Sequence, residues 1–213
     1  MATYDLDEQE QLDSLKAWWK RWGSVAMLTL AIVLAAGAGW RYWQNRTLTQ
    51  SLEAASVYQN LTQSLAANDA KGARAAGSML IDKYQDTAYA PRAALLLAKL
   101  NAMNKDLKSA QTQLEWAVSN SKEPAVKDLA RLRLAGVLLD QKQYDAALKA
   151  LEGVHSDAYA FRFLDMKGDV LLAQGKQADA RAAYQMAFGK MTEDNVYRSI
   201  VELKLDALGG PAK

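Results

Sequence analysis

Cysteine is absent from all 213 residues. That excludes disulfides and thiolate chemistry, and the fold must hold without a covalent staple. The absence does not fix the compartment. There is one histidine, His155, which we read as a solvated loop residue. With no cysteine and no second histidine, a zinc site has no ligand set. A nucleophile elbow for a Ser–His–Asp unit and the phosphate-binding loops GxGxxG and GxxxxGK are also missing. Lys122 with Glu123, and Asp179 with Arg181, read as solvated faces rather than acid–base pairs. No catalytic residue, metal ligand or cofactor is expected, and the chain reads as a non-enzyme. Neither charge sign dominates: 26 basic and 24 acidic residues are interspersed, which is no nucleic-acid footprint. No stretch alternates apolar and polar residues convincingly enough for a strand. The three prolines, at 91, 124 and 211, fall at expected helix boundaries or in the tail.

What the chain does have is one long uncharged run, from Gly23 to Trp40. Counted from Trp22 it has about 19 residues and reaches roughly 28 Å as a helix, one hydrocarbon core. Trp18, Trp19, Lys20, Arg21 and Trp22 mark one end; Trp40, Arg41, Tyr42, Trp43 and Arg46 mark the other. Aromatic rings prefer the headgroup zone and long basic side chains snorkel from it, so these read as membrane-interface anchors. A buried soluble helix is rarely apolar on every face. The competing reading is a signal peptide cut after Ala38, within the small-residue stretch Ala36-Gly37-Ala38. Against it, 22 residues precede the run, carrying five acids and three bases, whereas a signal peptide opens short and basic. Lys16, Lys20 and Arg21 on one side, against Arg41 and Arg46 on the other, favour a cytoplasmic N-terminus. Along the span, Ala31, Ala35 and Gly39 form a small-residue stripe on which another helix could pack closely.

Before the span, Leu12, Leu15, Trp18, Trp19 and Trp22 share one side of a helix from Glu10 onward, with Met1 to about Asp7 loose. After it, Leu48, Leu52, Ala55, Tyr58, Leu61 and Leu65 continue at helical spacing. Then the sequence repeats itself. Ala135 matches Gly168, Leu138 matches Leu171, Ala147 matches Ala180, and Leu151 matches Tyr184, all offset by 33. Ala98, Leu107, Ala110, Leu114 and Ala117 form an earlier copy, and a degenerate one spans 48–84 around Ala73. A helix–turn–helix period near 34 resembles tetratricopeptide repeats. Small residues (Ala98, Ala135, Gly168; Ala110, Ala147, Ala180) let the two helices of a hairpin touch. Large ones (Leu114, Leu151, Tyr184) fill the gap to the next. Gly175 supplies a permissive turn. The remaining methionines, Met79, Met103, Met166, Met186 and Met191, read as core filler.

The expectation is an all-α chain: one N-terminal transmembrane helix, then a TPR-like solenoid of about four hairpins with a C-terminal capping helix. That cap runs over Asn195–Leu208 with Val196, Ile200, Leu203 and Ala207 along one face. By segment the chain divides into an acidic, amphipathic tail (1–22), a signal-anchor span (23–43), the TPR-like domain (44–208) and a flexible end (209–213). First helices should line a concave side, placing Arg92, Leu96, Lys99, Met103, Leu129, Arg133, Asp140, Arg162, Met166 and Asp169 in a partner-binding groove. Aliphatic, methionine and charged residues mixed in this way suit an extended or partly unfolded polypeptide. The lysine and asparagine constellation that clamps a C-terminal carboxylate is not apparent.

Several segments carry a more specific likeness: Lys16-Ala17-Trp18-Trp19-Lys20, Gly39-Trp40-Arg41-Tyr42-Trp43, Ala55–Asn60, Leu132-Arg133-Leu134-Ala135, Gln143–Leu151, and Lys167-Gly168 through Ala180-Arg181. Together and in this order they resemble the YfgM family, the ancillary subunit of the bacterial SecYEG translocon. Departures lie mainly in 68–90 and after Phe188. The resemblance implies a single-pass inner-membrane protein with a cytoplasmic N-terminus and a periplasmic TPR-like domain. It implies, as partners, the Sec translocon channel subunits, a membrane-anchored prolyl-isomerase-like chaperone and other periplasmic chaperones, with the lipid bilayer around the span. The implied work is passing translocated chains to periplasmic folding factors, and a role in envelope stress signalling is also attached to the family. It brings no catalytic residues. The alternative is a released periplasmic TPR adaptor in envelope assembly or cell division.

Overall fold

A computed structural model describes residues 3–209. Met1, Ala2 and the expected flexible end from Gly210 onward lie outside the described residues. Among those described there is no strand. The helices are α1 (Thr3–Ala66), α2 (Ala70–Lys83), α3 (Tyr89–Met103), α4 (Leu107–Asn120), α5 (Pro124–Asp140), α6 (Tyr144–Ala150), α7 (Ala160–Ala173), α8 (Gln177–Gly189) and α9 (Arg198–Ala207), with a 3-10 turn at Asp157–Tyr159 before α7. The chain divides into two compact units, one up to Gln50 and one from Ser51.

The first unit is a single helix. It begins at Thr3 rather than after a loose stretch reaching Asp7. Its apolar side chains face outward: Leu34 is 64 % exposed, and Val25, Leu28, Leu30, Ile32 and Val33 are exposed with it. Uniform apolarity gives such a helix no preferred face. Thr29 hides its hydroxyl by donating to the Val25 carbonyl at 2.8 Å, which an apolar surrounding demands.

The second unit is a stack of four helical hairpins and a cap. The hairpins are the last part of α1 with α2, α3 with α4, α5 with α6, and α7 with α8; α9 covers α8. Every hairpin turn is built alike. One residue takes the left-handed conformation: Asn68 (φ 55°), Lys105 (61°), Lys142 (60°) and Gly175 (79°). The N–H of the following residue then reaches five back, Asp69 to Ser64, Asp106 to Asn101, Gln143 to Leu138 and Lys176 to Leu171, at 2.8–3.0 Å. This is the Schellman arrangement, which satisfies carbonyls left over at a helix end. The first two turns also carry an N-cap: Asp69 accepts from the Gly72 N–H and Asp106 from the Ser109 N–H. The third and fourth turns, at Gln143 and Lys176, have no side-chain cap.

Inside the stack the repeated small positions are buried, including Ala73, Ala98, Ala110, Ala135, Ala147, Gly168 and Ala180. Leu114 is 1 % exposed and Tyr184 fully buried, each burial contributing about 2 kcal/mol. Gly168 admits the Tyr184 ring so closely that a Cβ there would lie 2.4 Å from Cε1. Ala54 and Leu61 are buried at the start of the stack, whereas Leu48 and Leu52 of the expected stripe are exposed. The cap differs in a similar way. Val201 and Leu205 are each 1 % exposed and pack on α8, while Val196, Ile200, Leu203 and Ala207 face outward, Leu203 at 70 %. Met79, Met103 and Met186 are exposed rather than core; only Met191 among the five is buried.

Candidate interaction surface

Two depressions open along the first helices of the hairpins. The first, of about 580 Å³, lies between the end of α1 and α3; Leu65, Leu96, Lys99, Leu100 and Met103 line it. The second, of about 390 Å³, lies between α5, α7 and α9. It is lined by Leu129, Arg133, Arg162 and Met166, with Met191 and Tyr197 from the cap region. Seven of the ten expected groove residues therefore fall into these two depressions. The other three go elsewhere. Arg92 closes a forked ion pair, Nη1 to Oε1 of Glu123 at 2.7 Å and Nη2 to Oε2 at 2.6 Å, so Glu123 is not simply solvated, and the pair raises the Arg92 pKa. Asp140 is exposed at the last position of α5. Asp169 belongs to a polar knot.

That knot fastens the cap. Lys204 Nζ of α9 donates to Oδ1 of Asp165 and to Oδ1 of Asp169, both at 2.7 Å. The Tyr184 hydroxyl donates to the same Asp169 oxygen at 2.7 Å. Burial raises the Asp165 pKa against the pull of Lys204. Burial opposes the charge on Lys204, but its two carboxylate partners outweigh it and raise its pKa. Tyr184 is pushed up strongly, by burial first and then by its bond to Asp169. Sequence reasoning missed the knot. The Asp165–Asp169 spacing of one helical turn was visible, but Lys204 lies 35 residues past Asp169 and joins only once α9 docks.

A second knot holds the loop before α7. Buried Asp128 accepts from the Ser156 N–H at 2.9 Å and from its hydroxyl at 3.1 Å. Arg131 donates to the carbonyls of Ala150, Glu152 and Val154. His155, expected to be solvated, is half-buried and stacks on Phe163 with ring centroids 4.4 Å apart; Arg131 lies over the same ring. Among the described residues, no three acidic or histidine side chains are grouped to hold a metal.

On α1, Trp18, Trp19, Trp22, Trp40, Tyr42 and Trp43 are exposed, as are Lys20, Arg21 and Arg41. Ala31, Ala35 and Gly39 present an open stripe, with nothing within 4 Å of a Cβ built on Gly39. The described residues include one helix long and apolar enough to cross a membrane, and this is it.

The tetratricopeptide repeat-like domain family matches residues 16–210 of the chain. A relative from Neisseria gonorrhoeae, named as an ancillary SecYEG translocon subunit, is 36 % identical over 207 residues, covering 95 % of this chain and 98 % of the relative. The chain belongs to the YfgM family. Two more members carry the same name. The one from Haemophilus influenzae is 26 % identical across 96 % of this chain and 99 % of its own. The one from Escherichia coli is 28 % identical across 87 % and 88 %. The family match runs through the apolar helix as well as the hairpins.

Proposed function

We propose that this chain is a non-enzymatic, membrane-tethered scaffold of the SecYEG translocon. In this reading residues 1–22 form a cytoplasmic tail, 23–43 the span, and 44–208 a periplasmic hairpin domain that passes emerging polypeptides to periplasmic chaperones, a prolyl-isomerase-like one among them. The observation that carries the proposal is the near end-to-end match to a named translocon subunit, anchor included. The open stripe at Ala31, Ala35 and Gly39 supports packing of the span on a channel helix. The two depressions supply weak polypeptide contacts, and tethering beside the channel makes weak contacts sufficient by raising local concentration.

The test is photo-crosslinking in cells from Met103 and Met166, one in each depression. Channel subunits and a periplasmic chaperone should be captured from both. Capture of neither contradicts the proposal. Cleavage after Ala38, read from the mass of the mature protein, would replace it with a released adaptor.

A further inference from the structure

We infer that the depression between α5, α7 and α9 takes an extended polypeptide segment in which a carboxylate side chain lies next to an aliphatic one. The inference rests on the reading of this face as the binding surface and specifies what it binds. Its basis is the difference between the two arginines that line the depression and the basic side chains tied into ion pairs elsewhere in the stack. Arg92 has Glu123, Arg131 has Asp128, and Lys204 has Asp165 and Asp169. Arg133 and Arg162, the two guanidinium groups that line the depression, have no carboxylate partner among the described residues. Arg133 donates to the Leu95 carbonyl at 3.3 Å. Arg162 lies over the rings of Tyr197 at 4.6 Å and Phe161 at 5.7 Å. Stacking holds a guanidinium in place without neutralising it. Although Arg133 is exposed as a residue, desolvation lowers the pKa of its guanidinium and no carboxylate acts to restore it.

Between these charges the floor is apolar, from Leu129, Met166 and Met191. Asp165 also lines the space and shares the Lys204 ammonium with Asp169, so one partly compensated carboxylate faces two guanidiniums there. A volume near 390 Å³ holds a few side chains and not the face of a folded partner. A pair of guanidiniums that outnumbers the one carboxylate lining the depression, beside an apolar floor, is complementary to an aliphatic side chain flanked by a carboxylate. Forked bonds from arginine favour a carboxylate strongly over a neutral group.

The probe is a fluorescein-labelled peptide of three Gly-Leu-Ser-Glu repeats. It is titrated against the full chain in phosphatidylcholine nanodiscs, with Gly-Leu-Ser-Lys and Gly-Ala-Ser-Glu repeats alongside. The Leu/Glu peptide should bind at least about tenfold more tightly than either of the others. The double variant Arg133→Gln/Arg162→Gln should lose about tenfold, while the charge-matched Lys71→Gln/Lys149→Gln should not. The reversal Arg133→Glu/Arg162→Glu should switch preference to the Leu/Lys peptide, an outcome that misfolding cannot produce. Equal binding of the Leu/Glu and Leu/Lys peptides, or of Leu/Glu and Ala/Glu, overturns the inference, as does the absence of a switch. If the wild type captures channel subunits from Met166 yet shows no peptide preference, only the inference fails. If neither channel subunits nor a periplasmic chaperone are captured, the scaffold reading fails, whatever the peptides do.

Discussion

The same residue types occupy opposite positions in the two units. In the helix up to Gln50, Leu, Ile and Val lie more than half exposed; in the stack from Ser51, Ala110, Leu114, Val170 and Leu205 are at 1 % or less. Burial in the stack comes from other parts of the chain. The first unit offers the helix nothing to pack on, so its apolar surface calls for a different solvent. A single sequence thus specifies two environments, and in the proposed reading the aromatic clusters around Trp18–Trp22 and Trp40–Trp43 lie at the two membrane interfaces.

The sharpest way to break the contrast is to change one apolar side chain in each unit. Val33→Arg places a cation at mid-span, costing about 3 kcal/mol of insertion. The chain should move from the membrane pellet to the soluble fraction on fractionation. Leu114→Ala should cost about 3 kcal/mol in denaturant unfolding and leave the chain in the pellet. Loss of membrane retention in Leu114→Ala would erase the distinction.

Gly168→Ala probes how closely the hairpins touch. Its new methyl meets the Tyr184 ring, and the expected loss is about 1–3 kcal/mol. Gly136→Ala, whose nearest neighbour is Met166 at 3.8 Å, lies inside α5 and should instead stabilise by up to about 1 kcal/mol. Equal effects would mean that the repeat alignment misplaces the tight contact.

The cap knot predicts a pH dependence. Lys204 and Tyr184 both have raised pKa values in the fold. Their contribution is therefore complete below their ordinary values of 10.5 and 10.0 and is lost as pH rises through the raised ones. Thermal unfolding should show a fall in Tm from pH 10 upward, reduced in Lys204→Met. A profile identical in wild type and variant would remove Lys204 from the account. Smallest of all, Lys105→Gly and Lys142→Gly relieve a left-handed conformation and should each stabilise by about 0.5–1 kcal/mol.

The repeat was legible because it needs small residues at fixed offsets, and alanine or glycine at 98, 135 and 168 shows this directly. The turns were legible at Ala67-Asn68-Asp69 and at Gly175, whose residue types favour a left-handed backbone. Lysine at 105 and 142 adopts the same backbone but carries no compositional signal. On α9 two apolar stripes compete, Val196–Ile200–Leu203–Ala207 and Val201–Leu205, and spacing alone cannot rank them; the Lys204 bonds to Asp165 and Asp169 orient the helix. For the groove, repeat position assigned seven residues to the depressions. It failed for Arg92 and Asp169, because Glu123 and Lys204 reach them from outside their own hairpins.

In the proposed topology the hairpin stack stands across the membrane from the N-terminal tail and stays tethered there. The most direct measurement is an alkaline phosphatase fused after Lys213, assayed in the membrane fraction of intact cells. The account predicts an active enzyme that sediments with the membrane. An inactive fusion, or an active one released into the soluble periplasm, would contradict it.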